Sequence, residues 1–363
     1  MLGNSLQNRN NPQMVLIRAI HFKCCVVFFS LLLMMGVAYA QDAQYSQFYA
    51  APLYLNPAFA GNQGPQMATL GANFRSQWPG TDANFTTYAT SFDYFYEDWS
   101  SGVGVLITRD VEGFQGLSNM QGGVQYAYQL PISQTITARA GVHVGAIYKT
   151  ANLSGLIFSD QIGSDGQTLG TPTAEPLPGG TSLWLLDLAT GVLIYSPRFW
   201  LGGAVWHLNR PNQSVIGGTS LLQMKTTIHA GYKIPLRTSK YLVGENYDGQ
   251  ERSLSITAQY KWQGAFMQLE TGMYANLEPM VFGLWYRGIP IPNGSGGVNN
   301  DGLVALVGIT SKGFSMGYSF DYTLSNLGIR SGGAHEISLT YDFFLGDPRK
   351  PPLNTRRIPC PRF

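Results

Sequence analysis

The sequence predicts an all-β fold, and within that class a transmembrane antiparallel β-barrel of about 14 strands. Three observations lead to this prediction: segments of about ten residues alternate between apolar and polar side chains, charged residues are scarce, and short turns alternate with long loops. Because successive side chains of a strand point to opposite faces, such a segment has one apolar and one polar face. Its length suits a tilted strand that crosses a bilayer.

The last hairpin, residues 313–344, shows the alternation most clearly. One parity of each of its strands is apolar or aromatic, and the other is small or polar. The members of the apolar parity are Phe314, Met316, Tyr318, Phe320, Tyr322, Ile337, Leu339, Tyr341 and Phe343. Aromatic side chains near the ends of such strands suit the two interfaces of a membrane. We therefore expect this hairpin to supply the strand that closes the barrel.

The composition favours a membrane barrel over a cytosolic enzyme. Charged residues are 12% of the 363 residues, about half the usual share, whereas aromatic residues are 13% and glycine occurs 43 times. This length suits two soluble domains or one large barrel. The net charge of +2 comes without a basic stripe in the body of the chain, so no nucleic-acid partner is predicted.

Residues 1–40 have the pattern of a Sec signal peptide. Arg18 and Lys23 precede an apolar run over 24–37, and Ala38-Tyr39-Ala40 forms a small-x-small cleavage site. The run is too short for a spanning helix, and Met14 is an alternative start that would give the signal ordinary proportions. Export to the outer membrane is therefore expected. The mature chain then keeps Cys360 alone, so its stability must come from strand pairing and not from a disulfide.

The mature chain divides into three predicted parts. Residues 41–65 are rich in proline and aromatics without alternation, which predicts a non-strand periplasmic or plug segment. Two interpretations of it remain open, an arm on the barrel rim and a plug in the lumen. Residues 66–345 form the predicted barrel. Residues 346–363, with five prolines and five basic residues, predict an extended periplasmic tail.

Connection lengths predict the orientation of the barrel. If the first strand runs outward, the inner turns are short, the outer loops are long, and both ends of the mature chain lie in the periplasm. The exceptions are a long inner turn at 237–250 and a tight outer turn at Gln263. The predicted strands are 66–77, 84–97, 100–111, 117–130, 134–149, 183–196, 198–209, 223–236, 251–262, 264–276, 279–288, 301–311, 313–323 and 333–345. The predicted lumen side carries Arg139, His143, Lys149, Asp187, Lys261, Glu336 and Asp342.

No motif for catalysis, a cofactor or a metal is found. The four mature histidines lack metal-ligand spacing, and neither a nucleophile elbow nor a phosphate-binding loop is present. The prediction is therefore a protein that is not an enzyme, with no catalytic, cofactor-binding or metal residues. Cys360 admits a redox role, but a small apolar residue docked at a rim is the simpler interpretation.

Several motifs along the mature chain form a family pattern. The longest is Tyr45-Ser-Gln-Phe-Tyr-Ala-Ala-Pro-Leu-Tyr-Leu-Asn-Pro-Ala-Phe-Ala-Gly61. Shorter motifs are at 73–80, 207–213, 282–287, 317–322, 331–338 and 360–363. Together they resemble the PorP/SprF family of type IX secretion membrane proteins. The resemblance implies an outer-membrane barrel of the type IX secretion and gliding apparatus, without catalytic residues. Some members of the family belong to the core machinery, whereas others serve one large surface adhesin.

The expected function follows from the resemblance together with the tail. The barrel would dock a secreted adhesin, or its C-terminal signal domain, outside, and periplasmic ring or lipoprotein components inside, supporting export and surface attachment in outer-membrane lipid. The alternative is a passive or substrate-specific transport channel. The candidate partner-binding residues are Tyr54, Asn56, Pro57, Arg356, Arg357, Cys360, Pro361 and Phe363.

Overall fold

The computed structural model describes residues 42–81, 84–113, 117–151, 157–174, 182–215, 218–236, 252–292, 298–324, 328–346 and 358–359. The predicted signal peptide lies outside these residues. So do five of the candidate partner-binding residues, which are Arg356, Arg357, Cys360, Pro361 and Phe363.

The described chain contains 14 strands. They are β1 (Met67–Gln77), β2 (Phe85–Tyr96), β3 (Ser101–Glu112), β4 (Leu117–Pro131), β5 (Thr137–Thr150), β6 (Ser182–Tyr195), β7 (Phe199–Trp206), β8 (Lys225–Pro235), β9 (Arg252–Gln263), β10 (Phe266–Leu277), β11 (Met280–Pro292), β12 (Val298–Ser311), β13 (Phe314–Thr323) and β14 (Ala334–Phe344).

These strands form one closed antiparallel barrel, in which each strand pairs with its neighbours in the sequence. β14 pairs with β1 along its whole length, with Phe344 opposite Met67 and Ala334 opposite Gln77. The prediction of a closed barrel with β14 as its closing strand is confirmed. Closure pairs the two terminal strands, which would otherwise expose their backbone groups.

The two faces of the wall are those that the alternation predicts. In β5, Val142 is 49% exposed on the outer face, whereas its neighbours Arg139 and His143 are buried on the inner face. In β4, Val124 is exposed and Gln125 is buried in the same way. The outer face is thus apolar, as expected for a barrel surrounded by lipid, whereas the inner face carries buried polar residues together with a buried apolar group that includes Trp200 and Trp285.

Connection lengths separate the two ends of the barrel. We call the end with the turns after β2, β4, β6, β10 and β12 the short-turn end, and the opposite end the long-loop end. The tight turn between β9 and β10 lies at the long-loop end, as the sequence predicted. β11 and β12 are longer than predicted, and β7 ends at Trp206 instead of residue 209.

Helical structure is confined to short pieces. Three of them precede β1: 3₁₀ turns at Phe48–Ala50 and Pro57–Phe59, and between them the helix α1 (Pro52–Leu55). No helix in the described part of the chain is long and apolar enough to cross a bilayer.

Candidate functional site: the occupied lumen

Residues 42–66, here called the N-terminal segment, run through the lumen from one mouth to the other. Asp42 contacts the long-loop ends of β8 and β9, whereas Gly61 donates to Asp93 at the short-turn end of β2. The segment's contacts are with inner-face residues. The mature chain was predicted to begin on the periplasmic side; the structure instead places Asp42 at the mouth opposite to the start of β1.

An ionic cluster holds the segment at the long-loop mouth. The carboxylate of Asp42 lies 2.8 Å from both His207 Nε2 and Lys225 Nζ, and His207 Nδ1 lies 2.7 Å from Asp187 Oδ1. Lys225 also lies 4.0 Å from the ring centre of Tyr54. The wall groups come from three consecutive strands or strand ends, β6, β7 and β8, whereas Asp42 precedes His207 by 165 residues.

In this cluster, attraction between the opposite charges shifts the pKa values of His207 and Asp42 more than burial does. Burial disfavours the imidazolium, but the carboxylates of Asp42 and Asp187 raise the pKa of His207 to about 9. Burial likewise opposes ionisation of Asp42, yet His207 and Lys225 hold its pKa well below its usual range. At neutral pH His207 is therefore protonated and Asp42 ionised, and the imidazolium donates one hydrogen bond to Asp42 and one to Asp187.

A second polar network binds the segment on the opposite wall. The backbone N–H groups of Ser46 and Gln47 donate to the carboxylate of Glu336, at 2.6 and 3.2 Å. The Ser46 hydroxyl donates to Asp321 at 2.5 Å. Two guanidinium groups complete the network, Arg75 at 2.9 Å and Arg287 at 2.7 Å from Asp321. Buried charges are tolerated only when paired and hydrogen-bonded, and these are.

Asn56 ties the middle of the segment to the wall. Its Nδ2 donates to the carbonyls of Val192 and Gly203, at 3.0 and 3.2 Å, and its Oδ1 accepts from Ala58 N at 2.9 Å. The last bond caps the turn Pro57–Phe59. Glycine makes this close approach possible, because a Cβ at Gly191 would lie 2.0 Å from Asn56 Oδ1.

Arg139 closes the short-turn mouth over the segment. Its guanidinium donates to the carbonyls of Ala60 and Gly61, the latter at 3.3 Å, and stacks on Phe95 at 5.5 Å. The prediction that Arg139 faces the lumen is thus confirmed. Its partner is the chain's own backbone.

An apolar cluster fills the short-turn half of the lumen. Phe48, Tyr49 and Phe59 of the segment pack there with wall residues that include Trp200, whose indole N–H donates to Tyr49 at 2.9 Å. Ile358 of the tail belongs to the same cluster and is 5% exposed. The described part of the tail is therefore buried in the barrel.

Two cavities flank the segment near the long-loop mouth. One lies against β8, β9 and β10, and the other lies against β1, β11 and β13. Gln44 lines both. Other lining residues are Tyr45, Tyr54, Lys225, Lys261 and Phe266 of the first, and Arg75, Arg287, Asp301 and Asp321 of the second.

The three described candidate residues all make contacts within the chain. Asn56 and Pro57 are buried, and Tyr54 packs edge-to-face on Tyr45 and donates to the carbonyl of Ala43 at 2.7 Å. A partner-binding role for these residues stays a prediction. In the described residues, no group of three or more His, Cys, Asp or Glu side chains is arranged to hold a metal ion.

Sequence reasoning placed Arg139, Asp187 and Glu336 on the lumen side but did not single out five other charged residues that anchor the segment. They are Asp42, Arg75, His207, Arg287 and Asp321. A signal was present, because charged residues are scarce in this chain and four of the five lie in motifs of the family resemblance, at 73–80, 207–213, 282–287 and 317–322. What the sequence lacks is the pairing, which depends on strands far apart along the chain.

Comparison with known proteins gives solved barrel structures of low similarity and one family. The TodX deltaS2S3 mutant, a monoaromatic hydrocarbon channel, is 10% identical over 85% of this chain and 95% of its own, with a TM-score of 0.42. A Pseudomonas aeruginosa FadL homologue is 11% identical over 80% and 98%, with a TM-score of 0.40. A mutant porin of Rh. blastica is 7% identical over 76% and 98%, with a TM-score of 0.29.

No protein with a curated description matches the sequence. A family model does match, over residues 37–341, and its description is type IX secretion system membrane protein PorP/SprF. The match covers most of the chain and agrees with the resemblance of the motifs. The chain therefore belongs to the PorP/SprF family of type IX secretion system membrane proteins.

Proposed function

We propose that the protein is an outer-membrane docking barrel of the type IX secretion and gliding system. It holds a secreted surface adhesin at the long-loop end and engages periplasmic ring or lipoprotein components at the short-turn end. The observation that carries this proposal is the occupied lumen. A barrel whose interior is taken up by its own chain is suited to present surfaces and not to conduct solutes.

The alternative function, a passive or substrate-specific channel, requires the N-terminal segment to leave. The segment is bound at Asp42, Ser46 and Asn56, and these three points face different parts of the wall. Releasing it would break these ion pairs and hydrogen bonds, each hydrogen bond contributing about 0.5–1.5 kcal/mol net, and would expose the apolar cluster to water. The two cavities near the long-loop mouth do not replace a continuous path, because Arg139 and the apolar cluster occupy the other end.

The tail, residues 346–363, is proposed as the contact with periplasmic machinery. Ile358 is buried in the apolar cluster of the short-turn half of the lumen, which supports a role for the tail at that end. The basic residues of the tail, among them Arg356 and Arg357, can pair with acidic partner surfaces or anionic headgroups. Deletion of residues 347–363 should leave a folded barrel but reduce recovery of periplasmic partners, whereas unchanged recovery and normal secretion would exclude the docking role of the tail.

Conductance and partner recovery test the proposal as a whole. Purified protein in planar bilayers should be closed, and native protein solubilised from outer membranes should co-purify with secretion-system components. A variant lacking residues 42–60 is the positive control for conductance. The channel would be supported instead if the intact protein conducted steadily and if deletion of its gene left every surface protein in place.

A further inference from the structure

Among the described residues, the barrel wall has an open edge along the half of β6 nearer the long-loop end. β5 pairs with the whole of β6, from Ser182 to Tyr195. β7 pairs with β6 only over Thr190–Tyr195 among the described residues. Residues 182–189 therefore have a strand on one side alone, which at about 3.3 Å per residue gives an edge of roughly 26 Å.

The step in the wall has a local cause. β7 ends at Trp206, because His207 adopts a positive φ of 59° and turns its ring into the lumen toward Asp42 and Asp187. The chain then adds two hydrogen bonds to the edge. Leu208 N donates to the carbonyl of Leu188 at 2.9 Å, and Asn209 Nδ2 donates to that of Leu186 at 2.7 Å.

Those two bonds show which backbone groups face the open side. The carbonyls of Leu186 and Leu188 point to it, and in an antiparallel strand the N–H and C=O of one residue point the same way. The N–H of Leu186 and both backbone groups of Trp184 therefore face it as well, and no described residue hydrogen-bonds to them. The side chains beside them are apolar and exposed, Trp184 by 70% and Leu186 by 56%.

We propose that this β6 edge, residues 182–186, receives an extended segment of the secreted partner by strand addition. Identification of the occupant as the partner rests on the proposed function, which places the cargo at the long-loop end. The hydrogen-bonding pattern identifies it as a polypeptide: donors and acceptors that alternate at strand spacing are satisfied by another strand, and lipid chains offer neither.

The edge also defines the chemistry of the incoming strand. Its outward side chains lie beside Trp184 and Leu186, so they are apolar or aromatic. Its inward side chains lie beside Leu185 and the buried Asp187, so they are small or polar. The carbonyl of Leu188 already accepts from Leu208 N, and that of Leu186 already accepts from Asn209 Nδ2. The incoming strand therefore pairs from the N–H of Leu186 toward Ser182.

Photocrosslinking in intact cells tests the proposal, with p-benzoylphenylalanine in place of Trp184 or of Leu186. Val192 is the matched control, since it lies on the same strand and face and is 58% exposed, but is paired with β7 at Gly203. We expect positions 184 and 186 to crosslink to the same secreted polypeptide, at two attachment points that lie two residues apart in its sequence. Position 192 should crosslink to lipid alone. Equal polypeptide adducts at 192, no polypeptide at 184 and 186, or adducts to a second copy of this chain would overturn the proposal.

A backbone variant separates strand addition from contact by side chains. Leu186→Pro removes the N–H on the open side and leaves the ladder with β5, whereas Leu186→Ala keeps the N–H. With one strand hydrogen bond lost, the adduct at 184 should fall about fivefold to tenfold in Leu186→Pro relative to Leu186→Ala. Leu186→Lys, which discourages edge pairing by charge, should act likewise if the proline variant does not fold.

The outcomes also distinguish this inference from the proposed function. The edge variants are first shown to be folded by their heat-modifiable migration. If gene deletion stops surface display of the partner, but these variants display it normally and give unchanged adducts, the edge proposal falls and the docking function stands. If gene deletion itself leaves surface display intact, the proposed function falls.

Discussion

Replacing Asn56 with alanine should loosen the N-terminal segment without unfolding the barrel. Asn56→Ala removes three hydrogen bonds to backbone groups, those with Val192, Gly203 and Ala58, and leaves a gap beside Gly191. At about 1 kcal/mol net for each bond, seating of the segment should weaken by roughly 3 kcal/mol. That change raises the population of the unseated segment by about 150-fold.

Hydrogen exchange measured by mass spectrometry reports this change directly. The amides of Leu55, Phe59 and Ala60 donate within the segment's own turns, so their exchange should accelerate while the strand amides stay protected. Asn212→Ala is the matched control. Asn212 also makes three hydrogen bonds, with Ser214, Gly218 and Ser220, but in an exposed loop. The reasoning is refuted if Asn56→Ala leaves exchange in the segment unchanged, or changes it no more than Asn212→Ala does.

Further predictions concern pH and the two faces of the wall. The pKa of His207 is raised to about 9, so its contribution to stability is complete at a pH below the ordinary pKa of histidine and is lost as the pH rises through about 9. The melting temperature in detergent should therefore fall as the pH is raised to about 9 and beyond, and His207→Gln should not show this fall. Val142→Arg should impair assembly, because a cation on the lipid face near mid-strand costs roughly 2–4 kcal/mol; an unchanged folded yield would show that this face is not in lipid. Gly141 faces the lumen, where a serine hydroxyl is compatible with the polar side of the strand, but a Cβ there would lie 2.4 Å from Ala58 N. Gly141→Ser should therefore speed hydrogen exchange in the N-terminal segment while the strand amides stay protected. Exchange at the wild-type rate would contradict this packing.

The sequence by itself determined the wall of the barrel. Alternation is a local property with a period of two residues, so the pattern in 134–149 places Val142 outside and Arg139 inside whatever the neighbouring strands are. Strand number and closure followed in the same way, because each strand pairs with the next along the chain and only β1 and β14 had to meet from a distance.

The tertiary structure alone decided what occupies the lumen and where the wall is open. The segment around Asn56 has no periodicity, so the sequence left it as an arm or a plug; its position depends on wall residues up to 291 positions away in the chain. β7 was predicted to reach residue 209, and its pattern gives no reason to stop earlier. It ends at Trp206 because His207 turns inward to pair with Asp42 and Asp187, and the electrostatic gain of that buried cluster exists only once the three groups have been brought together.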